Sequence, residues 1–152
     1  MNEKEKWAYS RCMELCSKSE KCISDIQKKL KDWEIEPEEA QKIIDQLVKD
    51  KFIDEKRFAQ YYSRDKFRFN QWGKVKIAYM LNSKKLSPEY IQNAIDQIDE
   101  EDYKQMLLIL LTEKVRKAKF INEYDKKGKL TRFALSHGFE YDLISKTLQS
   151  LK

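Results

Sequence analysis

A chain of 152 residues that is 41% hydrophobic and 38% charged can bury one or two modest cores while keeping a large solvated surface. Three glycines and two prolines are too few for a turn-rich β architecture, which needs positive φ angles and strand breakers at its corners. The net charge is +5 and the longest purely apolar run, Met106 to Leu111, has six residues, so no membrane-crossing helix is expected; the polar start from Met1 to Lys6 gives no sign of a leader.

In chain order, a first helix is expected around Ala8 and a second over about Ser19 to Lys31. Cys12, Cys16 and Cys22 fall in this stretch without a Cys-x-x-Cys pair, and the only histidine, His137, is far away in sequence. They read as small packing residues in a reducing cytoplasm, with no metal or cofactor implied. Glu36-Pro37 marks the start of a third helix, a capping position followed by proline at the first helical residue.

The series repeats. A helix around Ala59, with Phe58 and Tyr62, follows the cap-like pair Asp54-Glu55; a shorter one is expected over Gly73 to Asn82, and another begins at Ser87-Pro88. A Leu-rich helix over about Glu101 to Lys119 presents Tyr103, Met106, Leu107, Leu110, Leu111 and Val115 to a core. The stretch Lys119 to Gly128 is expected to be a flexible loop, followed by a helix over Lys129 to His137 that Gly138 stops, and by a last helix starting near Glu140 to Asp142.

Self-similarity ties these elements together. Leu30 and Ile35 precede Ala40, Ile43, Ile44 and Leu47; Leu81 and Leu86 precede Ile91, Ala94, Ile95 and Ile98 at the same offsets. Leu135 and Phe139 precede Ile144, Thr147, Leu148 and Leu151 in a third copy. Offsets of three, four and seven make one helical stripe. The sequence therefore predicts an all-α protein of nine helices in three tandem three-helix repeats, over residues 1–50, 51–99 and 100–152, stacked as an elongated, curved array. With no heptad run, a monomer is expected.

Charge is segregated along the chain. Nine basic residues face three acidic ones between Asp54 and Leu86, and eight face two between Lys114 and Arg132, so each block carries a surplus of six while the other 100 residues carry −7. Arg57, Arg64, Lys66, Arg68, Lys74, Lys76, Lys84 and Lys85 make the first candidate binding block; Lys114, Arg116, Lys117, Lys119, Lys126, Lys127, Lys129 and Arg132 make the second. Two readings are open for each block: contact with nucleic-acid phosphates, which would weaken steeply with salt, or an ordinary solvated helix face. Phe67, Phe69 and Trp72 interleave with the first block, where they could stack on bases or anchor a helix joint. Acidic residues gather in the third helices, and a partner of complementary charge would read them as orientation information.

Nothing points to catalysis. The chain has no Gly-x-Gly-x-x-Gly, no phosphate-cradling loop ending in Lys-Ser/Thr and no His-Glu-x-x-His, and His137 in Ser136-His137-Gly138 reads as a helix-end residue.

The segment Ile53-Asp54-Glu55-Lys56-Arg57-Phe58-Ala59 with Tyr61-Tyr62, then Gly73-Lys74-Val75-Lys76-Ile77 and Leu81, resembles the central repeat of the RecX family. Lys21-Cys22-Ile23-Ser24-Asp25-Ile26 leading to Leu30 is similar to that family's first-repeat helix, and Phe133-Ala134-Leu135-Ser136-His137-Gly138-Phe139 to its ending, so the resemblance runs from about Ala8 to Leu148. Three departures stand out: Asp54-Glu55 for paired aspartates, Cys22 for a serine, and Lys85 where the family has glycine, which asks a lysine to adopt a left-handed conformation. The resemblance implies three repeats of three helices in a non-enzymatic, cytoplasmic regulator. Such a protein would lie in the groove of the RecA filament on DNA and limit filament growth, ATP turnover, strand exchange and co-protease activity. In it Arg57, Arg64, Arg68, Lys74 and Lys76 would face the filament or its DNA. A tri-helical DNA-binding protein independent of RecA and a helical-repeat scaffold for protein partners are the alternatives.

Overall fold

The structure is a computed structural model and describes residues 2–151. Among them are nine helices and no strand: α1 (Glu3–Lys18), α2 (Ile23–Asp32), α3 (Pro37–Lys49), α4 (Glu55–Asn70), α5 (Lys74–Ser83), α6 (Pro88–Asp96), α7 (Glu100–Lys117), α8 (Glu123–Ser136) and α9 (Tyr141–Ser150). The accessible surface of 10060 Å² exceeds the roughly 8,100 Å² of a compact protein of this mass, as an extended stack of small units requires.

Short polar side chains start the longer helices by accepting orphan backbone N–H groups. Asn2 accepts from the Glu5 N–H at 2.8 Å and the Glu5 carboxylate accepts in return from the Asn2 N–H at 3.1 Å; Asp54, Asp99 and Asn122 open α4, α7 and α8 by accepting from the N–H groups of Arg57, Asp102 and Asp125. Pro37 and Pro88 occupy the first residue of α3 and α6, where the missing N–H costs nothing.

A shared turn ends the second helix of each triplet. Ile35 N–H reaches Leu30 O at 3.0 Å, Leu86 N–H reaches Leu81 O at 3.4 Å, and Phe139 N–H reaches Ala134 O at 3.2 Å. Each turn passes through one left-handed residue, namely Glu34, Lys85 and Gly138 with φ of 58°, 66° and 94°. Lys85 thus takes up the conformation that glycine adopts without strain.

The third copy of this turn corrects two expectations. Ala134, fully buried, holds the core position of Leu30 and Leu81, whereas Leu135 is 45% exposed; the four-residue spacing from Leu135 to Phe139 had hidden the five-residue register. The expected loop from Lys119 to Gly128 is half helix: Asn122 caps α8, Asp125 also accepts from the Ile121 N–H at 3.0 Å, and Gly128 sits inside α8. The Asx cap two turns upstream of the apolar stripe outweighed the local glycine.

Packing divides into two cores. Ala8, Cys12, Ile26, Leu30, Ile35, Ile43, Ile44, Leu47 and Ile53 form the first, and α4 to α9 share the second, centred on Phe67, Ile77, Leu81, Tyr103, Leu107, Leu111, Phe139 and Ile144. Cys22, at the start of α2, belongs to the second core and so fastens the first triplet to the next.

The second joint is made by backbone. Gly73 N–H and Val75 N–H at the start of α5 donate to His137 O at 2.7 Å and Gly138 O at 3.0 Å at the end of α8, and Lys74 N–H donates to the Tyr103 hydroxyl at 2.8 Å. Orphan donors of one helix thereby satisfy orphan acceptors of another, with their dipoles aligned head to tail. Such proximity requires glycine on both sides, since a Cβ on Gly73 would lie 2.3 Å from Gly138 O and one on Gly138 would lie 2.2 Å from the Lys76 Cβ.

Gly138 and Gly128 should therefore respond differently to alanine. Gly138→Ala is expected to lose about 3 kcal/mol from backbone strain and steric overlap, while Gly128→Ala, inside a helix where a Cβ would meet only the movable end of Arg132 at 3.2 Å, gains about 0.5–1 kcal/mol. Urea denaturation midpoints of the two variants check this.

Candidate functional site

The first basic block separates into committed and available cations. Arg57 turns toward the first joint, its Nε 2.6 Å from the Glu20 carboxylate and its terminal nitrogen 3.3 Å from Lys51 O; the bond to Glu20 raises the guanidinium further above its ordinary range. Lys74, whose side chain is 18% exposed, places Nζ 2.6 Å from Glu100 and 4.6 Å from the centre of the Tyr103 ring. Lys84 reaches back to Asp25 at 3.0 Å. These three hold the array together, and their charges are largely spent there.

Arg64 lies over Tyr61 at 4.7 Å with Asp65 at 3.6 Å, both ends of that pair half-exposed. Arg68 and Lys85 are exposed, with no described carboxylate within 4.0 Å. Lys66 and Lys76 both lie over Trp72, at 5.0 and 4.7 Å from the ring centre, and Lys66 also lies 5.4 Å from that of Tyr62. Phe67 is buried and cannot stack on a ligand, Trp72 is half-buried against the core, and Phe69 is 79% exposed.

In the second block Arg116 and Lys117 both pair with Glu113, and Lys129 pairs with Asp125 at 3.1 Å. Lys114 stands 4.7 Å from the centre of the Phe133 ring. Lys119, Lys126, Lys127 and Arg132 have no described carboxylate within 4.0 Å. Among them Ile121 and Tyr124 are 86% and 90% exposed, a pair of large apolar groups that the loop expectation passed over.

Blocks that are separate in sequence meet in space. The Trp72 ring with Lys66 and Lys76 connects through the Gln71 carbonyl, which lies 3.1 Å from His137 Nδ1, to the His137 ring; that ring is 4.8 Å from Phe133, over which Lys114 sits. Phe58, stacked on Tyr62 at 5.7 Å, extends the row toward Lys84. Cation–π contacts of this kind contribute about 0.5–1 kcal/mol each at exposed sites and fix flexible lysines in place. The result is a ladder of lysines braced on flat rings across the α5–α8 joint. His137 is the residue whose connecting role the sequence did not reveal. The adjoining Ser136-His137-Gly138 reads only as a helix end, and the partner carbonyl lies 66 residues away.

Ammonium groups held beside half-buried rings can neutralise phosphates and give bases or apolar side chains a ring edge to lie on. Burial pushes the Cys12 thiol up to about 12 and raises Cys16 and Cys22 as well, so none of the three is a thiolate at neutral pH. No helix among the described residues is long and apolar enough to cross a membrane.

Triplets of helices joined end to end, carrying a cationic and aromatic face, define a helical-repeat protein. Comparison with known families is more specific. The model described as "RecX, first three-helix domain" matches residues 8–47, and that described as "RecX, second three-helix domain" matches residues 54–95. The chain belongs to the RecX family.

A "Regulatory protein RecX" of Clostridium botulinum strain Eklund 17B is 35% identical over 105 residues, covering 68% of this chain and 49% of its own length. Another, of Clostridium acetobutylicum, is 29% identical over 154 aligned residues, covering 95% of this chain and 69% of its own length. The chain thus spans about half to two-thirds of the length of these curated relatives. A crystal structure of RecX from Lactobacillus salivarius shares the fold with a TM-score of 0.86 at 19% identity, covering 99% of this chain and 98% of that one. A second crystal structure, of a regulatory protein RecX, gives 0.87 at 23% identity, covering 97% of this chain and 72% of the other.

The joint between the first two triplets carries a pH signature. Burial works against the Asp25 carboxylate, but bonds from the Lys84 ammonium and the Cys22 N–H outweigh it and hold its pKa below the ordinary 3.8. A depressed carboxyl pKa contributes stability that is present above the unfolded value and is lost as pH falls through the folded one. Asp25→Asn should therefore cost about 1 kcal/mol at neutral pH, a deficit that shrinks below about pH 3.8. Urea midpoints of both proteins at pH 7 and pH 3 measure it; equal deficits at the two pH values would show that the charge of Asp25 is not what stabilises the joint.

Proposed function

We propose that this chain is a regulator that binds RecA on DNA and restrains it, lowering the filament's growth, ATP turnover, strand exchange and co-protease activity. The observation that carries this reading is the match of residues 54–95 to the second RecX three-helix domain. The lysine ladder braced on Trp72, Tyr62 and Phe133 supports it as a surface suited to a nucleoprotein partner. In this reading the protein acts in the cytoplasm, without a cofactor and as a monomer whose three triplets span neighbouring RecA subunits. Lys66, Lys76 and Lys114 face the filament's DNA together with Lys119, Lys126, Lys127 and Arg132, while Arg57, Lys74 and Lys84 act indirectly by holding the triplets in register.

Direct contact with unpaired DNA is favoured by Ile121 and Tyr124, which stand nearly free of the fold among unpaired lysines.

The test is single-stranded-DNA-dependent ATP hydrolysis by purified RecA, with increasing amounts of this chain at several salt concentrations. Inhibition that weakens with salt is expected. Replacing Lys66, Lys119, Lys126 and Lys127 with glutamine keeps the aliphatic stems and should raise the half-inhibitory concentration at least about tenfold without changing the fold. Unchanged inhibition by that variant rejects this surface, and no inhibition by the folded parent chain rejects the RecA reading.

A further inference from the structure

A cleft of about 380 Å³ opens between α4, the end of α6 and the start of α7. Its floor is apolar, made by Phe67 and Ile98, and contains one anomaly. Ser63 is 1% exposed and its hydroxyl has no hydrogen-bond partner, the only such buried side-chain atom among the described residues. Buried hydroxyls without partners are costly and uncommon, because water has been removed from the group and nothing has replaced it.

Arg64 and Arg68, one helical turn apart on α4, line the same cleft. Arg68 has no described carboxylate within 4.0 Å, and Arg64 has only the long contact to its neighbour Asp65. Asp102 also lines the cleft, so its charged lining residues sum to +1. An opening of that charge, with two guanidiniums and a hydroxyl as donors, is complementary to one monoanion.

We infer that the cleft seats a single carboxylate, the side chain of an aspartate or glutamate presented by a protein partner, with Arg64 and Arg68 donating to its oxygens and Ser63 Oγ–H, sealed from solvent in the empty cleft, joining them once the cleft wall shifts to uncover it. A nucleic-acid backbone fits less well. Asp96, Asp99, Glu100 and Glu101 flank Gln97, Ile98 and Asp102 in the chain, so a run of phosphates entering here would pass several carboxylates, whereas one side chain entering from above would not. The inference does not depend on the partner being RecA, because the cleft's chemistry is the same whichever protein carries the carboxylate.

The test is an NMR titration of the ¹⁵N-labelled chain with N-acetyl-glutamate N-methylamide, with the glutamine analogue and inorganic phosphate at equal ionic strength in parallel. The blocked glutamate should produce saturating shifts at the Ser63 amide and at the Arg64 and Arg68 Nε–H signals, with a Kd on the order of 10 mM. Arg68→Ala should abolish saturation while the chain stays folded. Ser63→Ala separates site from scaffold: removing an unsatisfied hydroxyl should raise the melting midpoint by about 2–4 °C, while binding weakens about threefold. Equal shifts with the glutamine analogue, stronger binding of phosphate, or a midpoint of Ser63→Ala no higher than that of the parent would each overturn the assignment.

Discussion

The arrangement of the second and third triplets depends on two glycines facing each other. Where α5 begins and α8 ends, the backbones approach closely enough for Gly73 and Val75 to donate to His137 and Gly138, and a Cβ on either glycine would occupy that space. The bonds satisfy donors and acceptors that helix ends otherwise leave to water. They also fix the rotation of α5, and with it the positions from which Lys74 reaches Glu100 and Lys76 reaches Trp72. The cationic ladder is thus a consequence of a backbone contact beneath it.

Fifty-one residues upstream the same joint is built from different material. Cys22 stands where Gly73 does, and its side chain fills space that the glycine leaves to backbone. Ile23 N–H, the equivalent of Lys74 N–H, donates to the Glu55 carboxylate at 3.0 Å instead of to a tyrosine hydroxyl, and burial raises the pKa of that carboxyl. Asp25–Lys84 and Glu20–Arg57 replace the backbone pairs. Part-buried ion pairs of this kind contribute about 1 kcal/mol each and are partly screened by salt, whereas the backbone bonds of the other joint are made at two buried glycines. This difference accounts for one core being shared by α4 to α9 while α1 to α3 keep their own.

Most of the architecture was legible because it repeats. The stripes of Ile43, Ile44 and Leu47 and of Ile91, Ala94 and Ile95 have a helical period that no strand shares, and the proline starts at Pro37 and Pro88 are local chemistry. The last triplet was harder to read because Ala134 is a weak apolar signal next to Leu135, and because an asparagine cap at Asn122 is easily mistaken for loop composition. The charge blocks were visible, but their division was not. Whether an arginine is spent on Glu20 or left free, as Arg57 and Arg68 differ, depends on residues brought together over tens of positions. Ser63 gave no signal at all, since a lone serine on a helix is unremarkable until its surroundings are known.

The helix α5 is the element that both neighbours hold. Its first turn is bonded to the end of α8, and Lys84, one residue past its end, is tied to Asp25 at the start of α2. Ten residues of α-helix make a rod about 15 Å long, rigid on the scale of side-chain contacts. Mechanically the protein is two springs in series with a stiff bar between them, one spring made of backbone bonds and the other of two ion pairs, the Ile23–Glu55 bond and the packing of Cys22. Load applied to either outer triplet reaches the other through this bar, and nearly all the deflection is taken up by the softer spring. Of the two joints, the one at Asp25–Lys84 is the one whose bonds weaken as salt rises, so the span of the array responds to ionic conditions there.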